Sequence, residues 1–189
     1  MTDPATVIIG PARLELCLGD ITRQATEAVG NAANTRLAGG GGVDGAIHRA
    51  GGPTILSELK TRYPDGCPTG SAVITSGGRL AARYILHAVG PVYRGRPKDA
   101  ELLAGAYRSS LELCSRQGIR SVAFPSIATG AYGYPVQAAA PVALATVVDY
   151  LASHPDLRLV RFVLFDGGAF QVYQRALAGL PLPAGASRE

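Results

Sequence analysis

Three features of the sequence predict an α/β layered domain on a mixed sheet. Short apolar runs alternate with segments of helical spacing through the second half of the chain. The first two apolar runs, around Val7 and Leu16, lie close together across Pro11 and suggest antiparallel pairing. Polar and glycine-rich stretches follow directly on predicted strand ends, where α/β sheets bind ligands.

Taken in order, Thr6–Ile9 is a β-branched run, and residues 13–18 alternate polar and apolar with strand period. Gly19-Asp20 ends that strand, and residues 27–31 form a third, short and apolar. Residues 43–50 read as a short helix closed by Gly51-Gly52. Pro53 starts the next helix, which runs to about Tyr63, since the first turn tolerates a missing N–H. Asp65-Gly-Cys-Pro-Thr-Gly70 is a turn cluster, followed by strands over 71–75 and 83–89. Pro97 opens a long helix in which Leu103, Tyr107, Leu111 and Cys114 recur at helical spacing, with Gly118 as its terminator. Ser121–Phe124 is a strand, Pro135 opens a helix that ends before His154-Pro155, and residues 159–165 are an almost wholly apolar strand. A last helix covers 168–178. The reading is one domain over 1–178 with a flexible Pro/Gly/Ala-rich tail over 179–189.

Composition narrows the classes. A chain of 189 residues that is 47% hydrophobic can build one core. The net charge of +4 is modest, lysine occurs only at Lys60 and Lys98, and the arginines are scattered, so no basic stripe for nucleic acid is present. Cys17, Cys67 and Cys114 lie far apart, without the spacing of a zinc site or a disulfide framework. The start, Met-Thr-Asp-Pro-Ala, lacks signal-peptide character, and the apolar stretches read as too short to span a membrane. The expected location is cytoplasmic.

Two loops carry the chemistry. The first runs from Asn31-Ala-Ala-Asn34 through four glycines, 39–42, to Asp44 and His48. Glycine leaves backbone N–H groups open to a phosphate. Asp44 and His48 share one helical face if the helix begins near Val43. The second loop is Ser126-Ile-Ala-Thr-Gly-Ala-Tyr-Gly-Tyr-Pro135. Gly40 to Gly45 spells GxGxxG, but the preceding strand ends too early for a dinucleotide fold. There is no Gly-Lys-Ser/Thr phosphate loop, and Ser126 is not in a GxSxG elbow. Asp20 alone reads equally as a helix N-cap, and His87, within a buried strand, as a packed core histidine.

Six segments in order resemble the macrodomain family, most closely its MacroD-type branch. They are Gly19-Asp-Ile-Thr22, Asn31-Ala-Ala-Asn34, residues 39–48, Gly66-Cys-Pro-Thr-Gly70, His87-Ala-Val-Gly-Pro91 and residues 124–135. The resemblance implies a three-layer α/β/α macrodomain with a central mixed, mostly parallel sheet that binds ADP-ribose. By position it implies that Asp20 and Ile21 meet the adenine and Phe165 stacks on it. Gly41, Gly42, Val43, Ser126, Thr129, Gly130, Ala131 and Tyr132 would hold the diphosphate and distal ribose. Asn34, Asp44 and His48 are the implied catalytic set. Two departures stand out. Gly30 replaces a usual β-branched residue, which predicts a looser strand end, and Ala128 replaces a frequent Ser.

The resemblance therefore implies a metal-independent hydrolase, with no cofactor, acting on O-acetyl-ADP-ribose and on mono-ADP-ribose esterified to Asp or Glu of proteins. The alternatives are a reader that binds ADP-ribose without turnover, or a remover of ADP-ribose from nucleic-acid ends. The expected partners are ADP-ribose and ADP-ribosylated proteins, with nucleic acid only as modified ends and no membrane.

Overall fold

The computed structural model describes residues 5–189; Met1 to Pro4, read above for the absence of a signal peptide, lie outside them. In chain order the elements are β1 (Thr6–Ile9), β2 (Ala12–Leu18), a short 3₁₀ turn (Ile21–Arg23), β3 (Ala28–Ala32), α1 (Gly42–Gly51), α2 (Thr54–Arg62), β4 (Ala72–Ser76), β5 (Tyr84–Ala88), α3 (Pro97–Gln117), β6 (Ser121–Phe124), α4 (Val136–Ser153), β7 (Leu159–Leu164), α5 (Gly167–Gly179) and β8 (Ser187–Arg188). Every element read from the sequence is present, with ends moved by a residue or so. Gly118 closes α3 in the left-handed conformation, φ 66°.

The strands form one sheet of order β4-β5-β3-β6-β7-β2-β1-β8. The five central strands, β5 to β2, run parallel; β4 and β1 add antiparallel edges, and β8 pairs antiparallel with β1. The segment from Gly179, read as a flexible tail, thus ends in a strand. Arg188 there also donates to the carbonyl of Leu180.

Pleating sends alternate residues of each central strand to opposite faces. Ala28, Leu86, Val122, Phe124 and Phe162 face the core built by α3, α4 and α5. Val29, Ile85, Ala123 and Val163 face the smaller core with Ile47 of α1 and Ile55 and Leu59 of α2. Both faces are covered, which gives three layers. Helix α4 is apolar enough over its 18 residues, mean hydropathy 1.3, to match a membrane span by length and composition. This corrects the sequence reading. Half of that window is buried here, and Ala140, Ala143, Leu144 and Val147 lie in the larger core.

The topology places the site. Strands β3 and β6 are parallel neighbours. The chain leaves β3 toward α1 and α2, on one face, and leaves β6 toward α4, on the other. Their exit loops diverge and open a crevice at the carboxyl ends of the strands.

Candidate active site

The first wall of the crevice is the loop from β3 to α1. Asn34 staples it: its Nδ2 donates to Gly39 O at 2.9 Å, and its Oδ1 accepts from Ala38 N at 3.3 Å. Gly39 and Gly42 have φ of 77° and 56°, a region closed to most side chains. A Cβ on Gly45 would fall 2.6 Å from Gly40 O, so only glycine lets the loop lie flat on α1. Gly41 caps α1, whose first backbone bond runs from Gly45 N to Gly41 O. The amides of 42–44 precede that bond, and a helix N-terminus with free amides suits an anion.

Asp44 sits in the first turn of α1, with its side chain only 7% exposed. Its Oδ1 accepts from Asn31 Nδ2 at 2.7 Å and lies 3.3 Å from His48 Nε2, one turn along the helix. Its Oδ2 lies on the Gly40 side, 3.2 Å from where a Cβ of that glycine would stand. One oxygen is tied into the protein and the other is left toward the cleft. Asn31 also meets His87 Nδ1 at 3.1 Å, and His87 Nε2 meets Thr75 Oγ1 at 2.8 Å. Burial, then the neighbouring His48, push the His87 pKa down to about 3, so the ring is neutral.

The second wall is the loop after β6, pinned from beneath by two tyrosines. Tyr107 of α3 donates to Pro125 O at 3.1 Å and accepts from Ile127 N at 2.9 Å. Tyr173 of α5 donates to Ser126 Oγ at 2.9 Å. Thr129 turns its hydroxyl inward to Ser126 O at 3.0 Å. Ala128 takes a left-handed φ of 67°, and its carbonyl accepts from Tyr134 N. Tyr132 O accepts from Tyr93 N, which ties the tip of the loop to the segment after β5.

Between the walls lies a cleft of about 340 Å³. It brings together Asn34, Gly41, Gly42, Val43, Asp44, Ser126, Gly130, Ala131 and Tyr132. His48 stands behind Asp44 and Thr129 behind Ser126, and neither lines it. Asp20, Ile21 and Phe165 lie outside this cavity, at the ends of β2 and β7. Asp20 caps the 3₁₀ turn; its Oδ1 accepts from Thr22 N and Oγ1 at 2.8 and 2.7 Å, and these bonds hold its pKa below the usual carboxylate value. Ile21 is buried against α1. Phe165 is 85% exposed, and Leu18, at the neighbouring strand end, is 55% exposed. Both are large apolar surfaces with nothing over them.

Sequence reasoning missed the polar chain behind Asp44. Asn31 drew notice for its place at a strand end, not as a partner of Asp44, and His87 was read as packing. The ring is indeed fully buried, but its neighbour is the buried Asn31 carboxamide. The parallel register of β3 on β5, which pairs Asn31 with His87, was the missing information.

Fold and cleft together define an α/β/α domain with an anion-suited pocket at the switch point of its sheet. The chain belongs to the macro domain family, whose sequence profile matches residues 30–143. It is 52% identical over 168 residues to an O-acetyl-ADP-ribose deacetylase of Cronobacter turicensis, covering 87% of this chain and 96% of that protein. A macro domain-containing protein of Caldanaerobacter subterraneus is 50% identical over 167 residues, covering 87% and 95%. Among solved structures, the Oceanobacillus iheyensis macrodomain with ADP superposes with a TM-score of 0.86 at 44% identity, covering 91% of this chain and 93% of that one. The Trypanosoma brucei macrodomain in complex with ADP-ribose superposes at 0.81 with 41% identity, covering 87% and 68%.

Proposed function

We propose that this protein binds ADP-ribose and hydrolyses its esters, deacetylating O-acetyl-ADP-ribose and releasing mono-ADP-ribose from Asp and Glu side chains of modified proteins. The observation that carries this reading is the asymmetric carboxylate of Asp44. Its Oδ1 is bound to Asn31 and faces His48, while its Oδ2 is left beside the glycine loop. A pure reader of ADP-ribose has no need of such a group.

In this reading the amides of Gly41, Gly42 and Val43 and the loop from Ser126 through Thr129, Gly130 and Ala131 to Tyr132 take the diphosphate. Phe165 stacks on the adenine, and Asp20 accepts from its amino group beside Ile21. Asn34 holds the loop against the distal ribose, a proximity effect. Asp44 orients a water and draws off its proton. Attack at the acyl carbon breaks its bond to the ribose oxygen, which leaves with a proton. The products are ADP-ribose and acetate, or the free protein carboxylate. For a protein carboxylate esterified at the anomeric carbon, attack at that carbon gives the same products, with the water oxygen in the sugar instead of the acid. Heavy-oxygen water separates the two routes. Neutral amides and the α1 N-terminus meet the phosphate charge, so we infer a metal-independent reaction. A chelator is expected to leave the rate unchanged.

The test compares wild type with Asp44→Ala on O-acetyl-ADP-ribose and on a Glu-linked ADP-ribosylated protein, following free ADP-ribose and, by calorimetry, ligand binding. Asp44→Ala is expected to keep its affinity within about threefold and lose on the order of a hundredfold or more in turnover. Tight binding by wild type with no release from either substrate would leave a reader module in place of the enzyme. The same assay on a 5′-phosphate-linked ADP-ribosyl oligonucleotide tests removal from nucleic-acid ends.

A further inference from the structure

We propose that His87 is a positioning residue for this hydrolysis: through Asn31 it fixes the rotamer of Asp44. The role rests on the reading of Asp44 given above. Four hydrogen bonds, each with a forced direction, support it.

Asp44 Oδ1 can only accept, so Asn31 must present its NH₂ group, at 2.7 Å. Turning the Asn31 amide over would set its oxygen against the carboxylate. The second hydrogen of that NH₂ then points at His87 Nδ1, 3.1 Å away, and Nδ1 must accept it. A neutral imidazole that accepts at Nδ1 carries its hydrogen at Nε2. That hydrogen goes to Thr75 Oγ1 at 2.8 Å, and the Thr75 hydroxyl donates onward to Ser76 O at 3.0 Å. Donation runs outward from Asn31 in both directions, to Asp44 at the cleft and through His87 and Thr75 to Ser76 at the β4 edge. Asn31, His87 and Thr75 are all essentially sealed from solvent. Inside the protein a carboxamide hydrogen without an acceptor is costly, so His87 Nδ1 pulls the Asn31 amide into the one orientation that grips Asp44.

The ring stays neutral, because burial and His48 push its pKa down to about 3. Asp44, His48 and, further off, Glu58 are the charged or titratable groups that act on it. His87 serves as a fixed acceptor and takes no part in moving protons.

Asparagine and leucine variants separate positioning from packing. In His87→Asn the side-chain oxygen reaches the place of Nδ1 and can still accept from Asn31. His87→Leu fills the volume without an acceptor. We expect His87→Leu to bind ADP-ribose within about threefold of wild type and to lose roughly tenfold to a hundredfold in kcat on O-acetyl-ADP-ribose. His87→Asn should recover kcat to within about threefold of wild type, because an acceptor again orients the Asn31 amide. Equal losses of kcat in both variants would overturn the proposal in favour of packing alone. Nitrogen NMR of the wild-type imidazoles needs no variant to fold. It is expected to show His87 as the Nε2–H tautomer, neutral down to about pH 4. An Nδ1–H tautomer, or titration near the ordinary histidine value, would also overturn it. If the NMR or variant result alone fails, only the role of His87 is lost. If wild type does not turn over O-acetyl-ADP-ribose, the hydrolase reading falls and this role with it.

Discussion

Tyr173, in the middle of α5, donates its phenolic hydrogen to Ser126 Oγ in the loop after β6, across 2.9 Å. With a buried donor already on that oxygen, the Ser126 hydrogen is left for the cleft. A side chain that could accept or donate becomes a directed donor, which suits an anion. The direction is set from a helix that does not line the cleft.

Tyr173→Phe removes that donor and little volume. ADP-ribose affinity is expected to fall about fivefold, near 1 kcal/mol, because Ser126 can then turn its hydrogen away from the ligand. Calorimetry with ADP-ribose measures this. An unchanged affinity would show that Ser126 does not donate to the ligand.

The two tyrosines also set an alkaline limit. Burial pushes the Tyr173 pKa up to about 12 and raises that of Tyr107 well above its ordinary value of 10. In the unfolded chain both ionise near pH 10, while in the folded protein both stay protonated. Above about pH 10 the unfolded state binds fewer protons, so stability falls as pH rises. For Tyr173 the loss runs from pH 10 to about 12. Each group contributes on the order of 1 kcal/mol per pH unit in that window. Urea unfolding at pH 9, 10 and 11 should show the decline, and Tyr173→Phe should have the shallower slope.

Gly30 is filled space, not a gap. A Cβ there would fall 2.4 Å from Phe124 Cδ1 and 3.3 Å from Pro125 Cδ. The aromatic ring of Phe124 in β6 occupies the room a side chain at this position would need. β3 pairs with β5 through Ala32 and Ala88, but with β6 only through Ala28 and Val29, so the pairing on that side ends just before Gly30. Gly30→Ala should cost about 1–3 kcal/mol in urea unfolding through overpacking, and Gly30→Val more. A stabilised Gly30→Val would mean that Phe124 moves aside freely.

Asn34 differs from Asp44 in what its loss should do. Both ends of its amide hold the 34–39 loop closed. Asn34→Ala should therefore weaken ADP-ribose binding roughly tenfold in addition to slowing turnover, since a loosened loop misplaces the glycine amides. Asp44→Ala should affect turnover alone. Steady-state kinetics with calorimetry on both variants tests the contrast, and matching KM and Kd changes would contradict it.

Local rules made much of this protein legible in its sequence. Strand period, helical spacing, Pro97 and Pro135 at helix starts and Gly118 at a helix end act over a few residues, so the elements could be read directly. The glycine run with Asn34, Asp44 and His48, and the loop from Ser126, are contiguous, so the cleft walls could be read too. What brings residues together across the sheet could not. The pairing of Asn31 with His87 depends on the register of β3 on β5. The grip of Tyr173 on Ser126 depends on how α5 packs beneath β6. The strand formed by Ser187 and Arg188 depends on an open edge at β1. The fit of Gly30 depends on a ring that lies far along the chain. Each is a contact between segments distant in sequence, chosen by the shared burial of whole layers, and a single chain read residue by residue carries no record of it. The sequence determined which groups the loops carry; the tertiary structure decided which of them reach the cleft and which way they point.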